Sequence, residues 1–129
     1  MTKVFIDGSA GTTGLRIADR LAGREDLTIL TLTGDARKDP QARKEALFES
    51  DIAFLCLPDA AAREAAALAE GSKVRIIDTS TAHRVNPDWV YGFAELPGQR
   101  EKIAASSRIA NPGCHASGFV SFFIFISSL

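Results

Sequence analysis

The stretch Gly8-Ser9-Ala10-Gly11-Thr12-Thr13-Gly14 stands between a short apolar run, Lys3 to Ile6, and a stretch with helical spacing, Leu15, Ala18 and Leu21. A strand, a glycine-rich turn and a helix in that order constrain the fold more than anything else in the chain. Asp7 leads into the turn, and Gly23 is a plausible helix stop. In an open α/β sheet, such a turn is where a dinucleotide phosphate meets the free N–H groups of a helix N-terminus. Gly8 would permit the tight turn. Gly11 would let backbone N–H groups approach a pyrophosphate, and Gly14 would let helix and strand pack closely. Thr12 and Thr13 complete this candidate cofactor-binding loop. The spacing is G-x-x-G-x-x-G rather than the commoner G-x-G-x-x-G, so a purely structural β–α turn is the competing reading.

Further along, the chain keeps alternating. Leu27 to Leu32 reads as a second strand. Its exit, Thr33 to Lys38, falls where a dinucleotide-binding fold meets the adenosine ribose. Asp35 there would favour the free 2′-hydroxyl of NAD. Arg37 and Lys38 would favour the 2′-phosphate of NADP, and two cations at the strand exit tilt the reading to NADP. A solvated charged loop is the alternative. Asp39 and Pro40 cap and open a helix expected over 41–49. Ile52 to Leu57 is a continuous apolar run, as in a strand covered on both faces, with Cys56 as inert core. Leu57 and Pro58 end that strand at its carboxyl end, where ligands sit in such sheets. Asp59 is expected to cap a helix from Ala60 to Glu70, stopped by Gly71.

Val74 to Asp78 reads as a fourth strand. In the polar stretch after it, Ser80, Thr81 and Arg84 could hold a phosphate or a nicotinamide amide, or form a loop with capped hydroxyls. His83 reads as an exposed loop histidine. Trp89 to Phe93 forms a short strand or packing segment. A helix from Gln99 to about Ala105 and a strand, Arg108 to Ala110, complete the series. Strands alternating with helices predict a Rossmann-like, doubly wound α/β fold on a parallel sheet. Its carboxyl edge would collect the glycine turn, the Leu57-Pro58 exit, the Ser80 loop and the turn after Ala110.

That last turn reads Asn111-Pro112-Gly113-Cys114-His115, and an apolar, helix-length run succeeds it. A thiol beside a helix N-terminus is favoured as thiolate by the dipole and by free N–H groups. The bland reading is an ordinary turn with Cys114 as a small buried residue. A nucleotide loop and an activated thiol on one edge are the pair that hydride transfer through a thioester needs.

Composition narrows the partners. A net charge of −1 gives no reason to expect nucleic acid or an anionic membrane. The two cysteines, Cys56 and Cys114, make neither a disulfide framework nor a metal site, so no metal is expected. Phe119 to Leu129 is apolar on every side but falls short of the roughly 20 residues of a membrane span. With Asp7 inside the stretch where a signal peptide would be apolar, the expected location is the cytoplasm. A dinucleotide-binding domain is expected over 1–115, and 116–129 reads as the apolar helix start of a second domain that is missing or truncated.

Five blocks in order, GSAGTTGL, FLCLPDAAAREA, IIDTSTAHRV, PDWVYGFAEL and ANPGCHASGF, resemble N-acetyl-γ-glutamyl-phosphate reductase of the shorter-chain type, over residues 1 to about 119. The resemblance implies an NADP-dependent reduction of N-acetyl-γ-glutamyl phosphate to the semialdehyde in arginine biosynthesis. Cys114 falls on the family's nucleophile, which forms a thioester. Gly8, Gly11 and Gly14 match the cofactor loop, Ser80 lies near the nicotinamide end, and Asn111 and Gly113 shape the turn. The partner implied is a small acyl phosphate, and the complete enzyme is expected to be a homo-oligomer. His115 stands where an aromatic residue is expected. The family's histidine acid/base and substrate-binding cations belong to a second domain not represented here. Aspartate-semialdehyde dehydrogenases share a similar cysteine turn but fit the middle blocks less well. A nucleotide-binding module without chemistry and a truncated, non-enzymatic subunit whose apolar tail docks another chain are the remaining alternatives, and the chain alone is expected to bind NADP(H) weakly or moderately and to turn over little or not at all.

Overall fold

The computed structural model describes residues 1–113 of the 129-residue chain. Cys114, His115 and the apolar run after them lie outside the described residues, as does the expected helix start at 116–129.

The core is a six-stranded parallel sheet in the order β2-β1-β3-β4-β6-β5. β1 is Thr2–Asp7, β2 Leu27–Leu30, β3 Ile52–Leu55, β4 Arg75–Asp78, β5 Val90–Tyr91 and β6 Arg108–Ala110. The helices are α1, Thr12–Leu21; α2, Pro40–Glu49; α3, Asp59–Leu68; and α4, Gln99–Ala105. A short 3₁₀ helix, Gly34–Lys38, precedes α2.

Alternation along the strands sorts the side chains. Phe5, Ala53 and Ile76 lie in register on one face, and Ile6, Phe54 and Ile77 on the other. The first set packs with Ala46 and Leu47 of α2 and with Ala62 and Ala65 of α3 into the main buried cluster. Alanines at those helix positions let the helices lie close to the sheet. α1 packs against β1 and β2. Because the strand order turns back at β1, right-handed crossovers put α1 on the face opposite α2 and α3. The doubly wound expectation holds. The reversal between β2 and β3 opens a crevice beyond the carboxyl ends of β1 and β3.

Several boundaries move. α1 starts at Thr12, inside the glycine stretch, instead of near Leu15. Leu15 is 54% exposed, so it is not part of the buried face its spacing suggested. β2 and β3 stop two residues early, at Leu30 and Leu55, because their last apolar residues leave the ladder to line the crevice. Pro58, not Asp59, is the N-cap of α3. The Asp59 carboxylate is taken instead by Thr81, whose backbone N–H and hydroxyl both donate to it, at 3.1 and 2.5 Å. Asp39 caps α2 as expected, accepting from the Gln41 N–H at 3.0 Å, with Pro40 in the first turn. α3 ends at Leu68, short of the expected Glu70, with Ala69 as its C-cap, and Gly71, at φ +82°, turns the chain beyond it.

Candidate functional site

β1 delivers the chain to its carboxyl end at Asp7, and Gly8 turns it with φ +86°. A Cβ on Gly8 would lie 2.2 Å from the carbonyl oxygen of Cys56, at the exit of β3. A Cβ on Gly14 would lie 2.4 Å from the Gly8 carbonyl oxygen. Both glycines are therefore required by close backbone approach. Gly11 differs: its Cβ would meet only the Gly8 carbonyl oxygen at 3.6 Å, an ordinary contact. The Gly11 N–H donates to that same carbonyl at 3.1 Å, closing the turn.

α1 begins immediately after. Gly11 is its N-cap, no side chain caps it, and no acidic residue lies in its first turn. The first N–H groups of a helix have no partner within it. Gly11, Thr12 and Thr13 are exposed. The helix end is thus left open to an anion.

Beside the loop is a cleft of about 220 Å³, lined by Asp7, Gly8, Ser9, Ala10, Leu32, Arg37, Lys38 and Leu57. It brings together the glycine turn, the two cations after β2 and the β3 exit. Arg37 and Lys38 line the cleft and Asp35 does not. The 3₁₀ helix is the reason: it carries Asp35 in its first turn and Arg37 and Lys38 in its last. Gly11, Thr12, Thr13, Pro58 and Ser80 lie outside this lining, and Gly14 is buried under the loop.

Under the cleft is an ion pair the sequence reading missed. The Nε and Nη2 groups of Arg43, on α2, donate to one carboxylate oxygen of Asp7 at 3.1 and 3.0 Å, with both side chains buried. Nη1 reaches the exposed Glu64 of α3 at 3.4 Å. Burial pushes the Asp7 carboxyl above its usual range, and Arg43 opposes that shift. An arginine in a helix without a distinct apolar face carries no signal that it will be buried; only the position of Asp7 at the strand end makes it so.

Cys56 sits just past β3, half-buried, and its N–H donates to the Asp7 carbonyl at 2.8 Å. Burial pushes its thiol up, so it is a poor nucleophile. That agrees with an inert Cys56, although at the strand exit and not in mid-strand.

The β4 exit is more ordered than its polar composition suggests. The fully buried Asp78 carboxylate accepts from the Ser80 N–H and hydroxyl, each at 2.9 Å, and from His83 Nδ1 at 2.5 Å. His83 is buried, contrary to the exposed position expected, because it pairs with Asp78 and stacks on Trp89 with ring centroids 3.9 Å apart. Ser80 is also buried, its hydroxyl committed to Asp78 and accepting from the Ala82 N–H. Thr81 is committed to Asp59, and its hydrogen bonds hold the Asp59 carboxyl below its usual range.

Arg84 ties this loop to the turn before Cys114. Its Nε donates to the Asn111 carbonyl at 3.0 Å and its Nη2 to the Thr79 carbonyl at 3.3 Å. The Asn111 N–H donates to the Asp78 carbonyl at 2.8 Å. A Cβ on Gly113 would lie 2.6 Å from Arg84 Nη1. Asn111, Gly113, Ser80 and Arg84 therefore meet at the carboxyl edge of β4 and β6. That is the edge which, at β1 and β3, carries the glycine turn.

A nicotinamide dinucleotide fits this arrangement on three grounds. The glycine turn is held tight by close backbone approach at Gly8 and Gly14, the α1 N-terminus it leads into is uncapped, and two cations line the adjoining cleft. Among the described residues no cluster of His, Cys, Asp or Glu could hold a metal ion, and no helix is long and apolar enough to cross a membrane.

Comparison with known proteins agrees. Residues 3–106 match the family described as semialdehyde dehydrogenase, NAD binding domain. The chain is similar to N-acetyl-gamma-glutamyl-phosphate reductase 2 of Pseudomonas putida, 57% identical over 92% of this chain and 38% of that protein. It is similar to N-acetyl-gamma-glutamyl-phosphate reductase of Brucella ovis, 54% identical over 92% of this chain and 39% of that protein. It thus spans under two-fifths of the length of these curated relatives. In structure it resembles aspartate semialdehyde dehydrogenase II from Vibrio cholerae, in complex with ASA, with a TM-score of 0.68 at 19% identity over 92% of this chain and 44% of that one. It also resembles aspartate semialdehyde dehydrogenase from Francisella tularensis, with a TM-score of 0.64 at 14% identity over 88% of this chain and 36% of that one. These structural likenesses speak to the fold. The uncapped helix, the glycine cradle and the match over most of the chain agree, and the chain belongs to the semialdehyde dehydrogenase NAD-binding domain family.

Proposed function

We propose that this chain is the NADP-binding, nucleophile-bearing part of an N-acetyl-γ-glutamyl-phosphate reductase. The observation that carries the reading is convergence on one sheet edge. The glycine cradle and the Arg37–Lys38 cleft lie beyond β1 to β3, and the turn leading to Cys114 lies beyond β6, tied to β4 by Arg84. The identity to reductases of that name supports the substrate class.

Gly8, Gly11, Thr12, Thr13 and Gly14 hold the pyrophosphate on backbone N–H groups. Arg37 and Lys38 hold the 2′-phosphate, and Leu57 and Pro58 face the cofactor from the β3 exit. Ser80 lies toward the nicotinamide end, where it shapes the loop through Asp78. When bound, the reduced nicotinamide supplies hydride. Cys114 supplies the sulfur: its thiolate attacks the γ-carbonyl carbon, the bond to the phosphate oxygen breaks, and phosphate leaves with that electron pair. Arg84 offers its charge beside this turn to the leaving phosphate. The same reading carries a cytoplasmic location and a homo-oligomeric complete enzyme.

Titration of the purified chain with NADPH and with NADH tests the cofactor. NADPH is expected to bind about tenfold tighter, the worth of one charge-assisted contact, and Arg37→Ala or Lys38→Ala should abolish the difference. Equal affinities in the wild type would remove the NADP assignment. Incubation with N-acetyl-γ-glutamyl phosphate should acylate Cys114 and release phosphate, with aspartyl phosphate as the comparison. Preference for aspartyl phosphate would transfer the chain to the aspartate-semialdehyde branch. No acylation, with Cys114 alkylating no faster than a free cysteine, would leave a nucleotide-binding module without chemistry.

A further inference from the structure

The reaction just outlined makes no use of the buried pair of Asp78 and His83, a densely bonded group among the described residues. Its surroundings are unusual for a loop. Oδ1 of Asp78 accepts from the Ser80 N–H, and Oδ2 accepts from the Ser80 hydroxyl and from His83 Nδ1. Nδ1 of His83 faces a carboxylate and so carries the ring proton. The imidazole lies flat on the Trp89 indole, 14° from parallel, which fixes its rotation. Asp78 also acts through its backbone, since its carbonyl accepts from the Asn111 N–H.

The neighbour of His83 is Arg84, which holds the other backbone polar atom of Asn111. Both backbone polar groups of Asn111 are thus gripped from one short segment, residues 78–84. Arg84 Nη1 has no acceptor among the described residues and lies against Gly113, directly before Cys114. We propose that His83 is a positioning residue: locked between Asp78 and Trp89, it sets the reach of Arg84, and through it the turn that presents Cys114. The role assigned to Cys114 in this proposal rests on the acyl-transfer reading; the control of the Asn111 turn does not.

Two variants separate the contributions. His83→Phe keeps the flat ring on Trp89 and removes the donor to Asp78. His83→Asn keeps a donor within reach and removes the ring. The first readout is amide hydrogen exchange at Asn111, with amides of β1 as the control for global stability. His83→Phe should speed Asn111 exchange about tenfold at unchanged β1 exchange, the order expected for one hydrogen bond to a charged acceptor, while His83→Asn should stay near wild type. The second readout is the alkylation rate of Cys114 in a Cys56→Ser background, expected to fall about tenfold in His83→Phe and to be rescued in His83→Asn. Asn111 exchange unchanged in His83→Phe, or raised equally in both variants, overturns the proposal. Faster Asn111 exchange in His83→Phe, with wild-type Cys114 no more reactive than a free thiol, upholds the positioning role and sinks the acyl-transfer reading alone. Should His83→Phe fail to fold, as β1 exchange would reveal, His83→Asn still decides, because a rise in its Asn111 exchange above wild type overturns the proposal.

Discussion

Arg84 and Gly113 share one small volume: a side chain on Gly113 could begin only 2.6 Å from Arg84 Nη1. The obstacle is the end of a flexible side chain, not backbone. Gly113→Ala is therefore expected to fold, at a cost under about 1 kcal/mol, by pushing the guanidinium aside. The Arg84 bond to the Asn111 carbonyl should be lost with that movement. Thermal melting should show the small cost, and Cys114 alkylation should slow. A large drop in melting temperature would mean that the contact is rigid.

The glycine turn makes a contrasting pair. Gly14→Ala drives a methyl into the Gly8 carbonyl and Ser9 Cα, backbone atoms that cannot move without opening the loop. Overpacking of this kind costs about 1–3 kcal/mol. Gly11→Ala meets no such obstacle. It should leave urea denaturation nearly unchanged and weaken NADPH binding, because the methyl stands where the pyrophosphate would approach. Equal destabilisation by both substitutions would contradict the geometry.

Arg43→Ala should be the most damaging single change near the cleft. It leaves Asp7 buried without its cation, and breaking a buried pair in this way costs about 3–5 kcal/mol. The sign of the pH dependence is set by Asp7, whose folded pKa lies above its unfolded value of 3.8. Its contribution to stability is complete below 3.8 and is lost as pH rises through the folded value. Removing Arg43 raises the folded value further. The gap between variant and wild type should be smallest in acid and largest at neutral pH in urea titrations. A gap that shrinks as pH rises would reverse the assignment.

Cys56 offers a control for thiol chemistry. Burial raises its pKa above the ordinary 9.0, so little thiolate exists near neutral pH. In a Cys114→Ser variant, alkylation should be slower than that of a free cysteine, with its rate rising only above about pH 9. Mass spectrometry of the modified peptide reads this directly. Rapid modification of Cys56 at neutral pH would mean that the β3 exit opens.

Much of the architecture was legible because it depends on neighbours in sequence. Apolar runs bounded by glycine and proline marked the strands, and Arg108–Ala110 was placed to the residue. Asp39 and Pro40 announced α2 by capping chemistry confined to a few residues. The errors came where a partner lay far along the chain. Asp59 had the form of an N-cap, but Thr81 took its carboxylate. His83 looked like surface, but Asp78 and Trp89 buried it. Leu15 had helical spacing with the apolar face, yet α1 starts three residues earlier and leaves it outside.

The sequence by itself determined the alternation of strand and helix, the glycine turn and its place between β1 and α1, since these depend on residue type and local spacing. The ownership of the buried charges, the placing of Arg37 and Lys38 but not Asp35 along the cleft, and the bridge from Arg84 to Asn111 were decided only by the tertiary structure. Each of these joins residues that are strangers in sequence, and burial makes a polar group seek a partner wherever the fold happens to bring one.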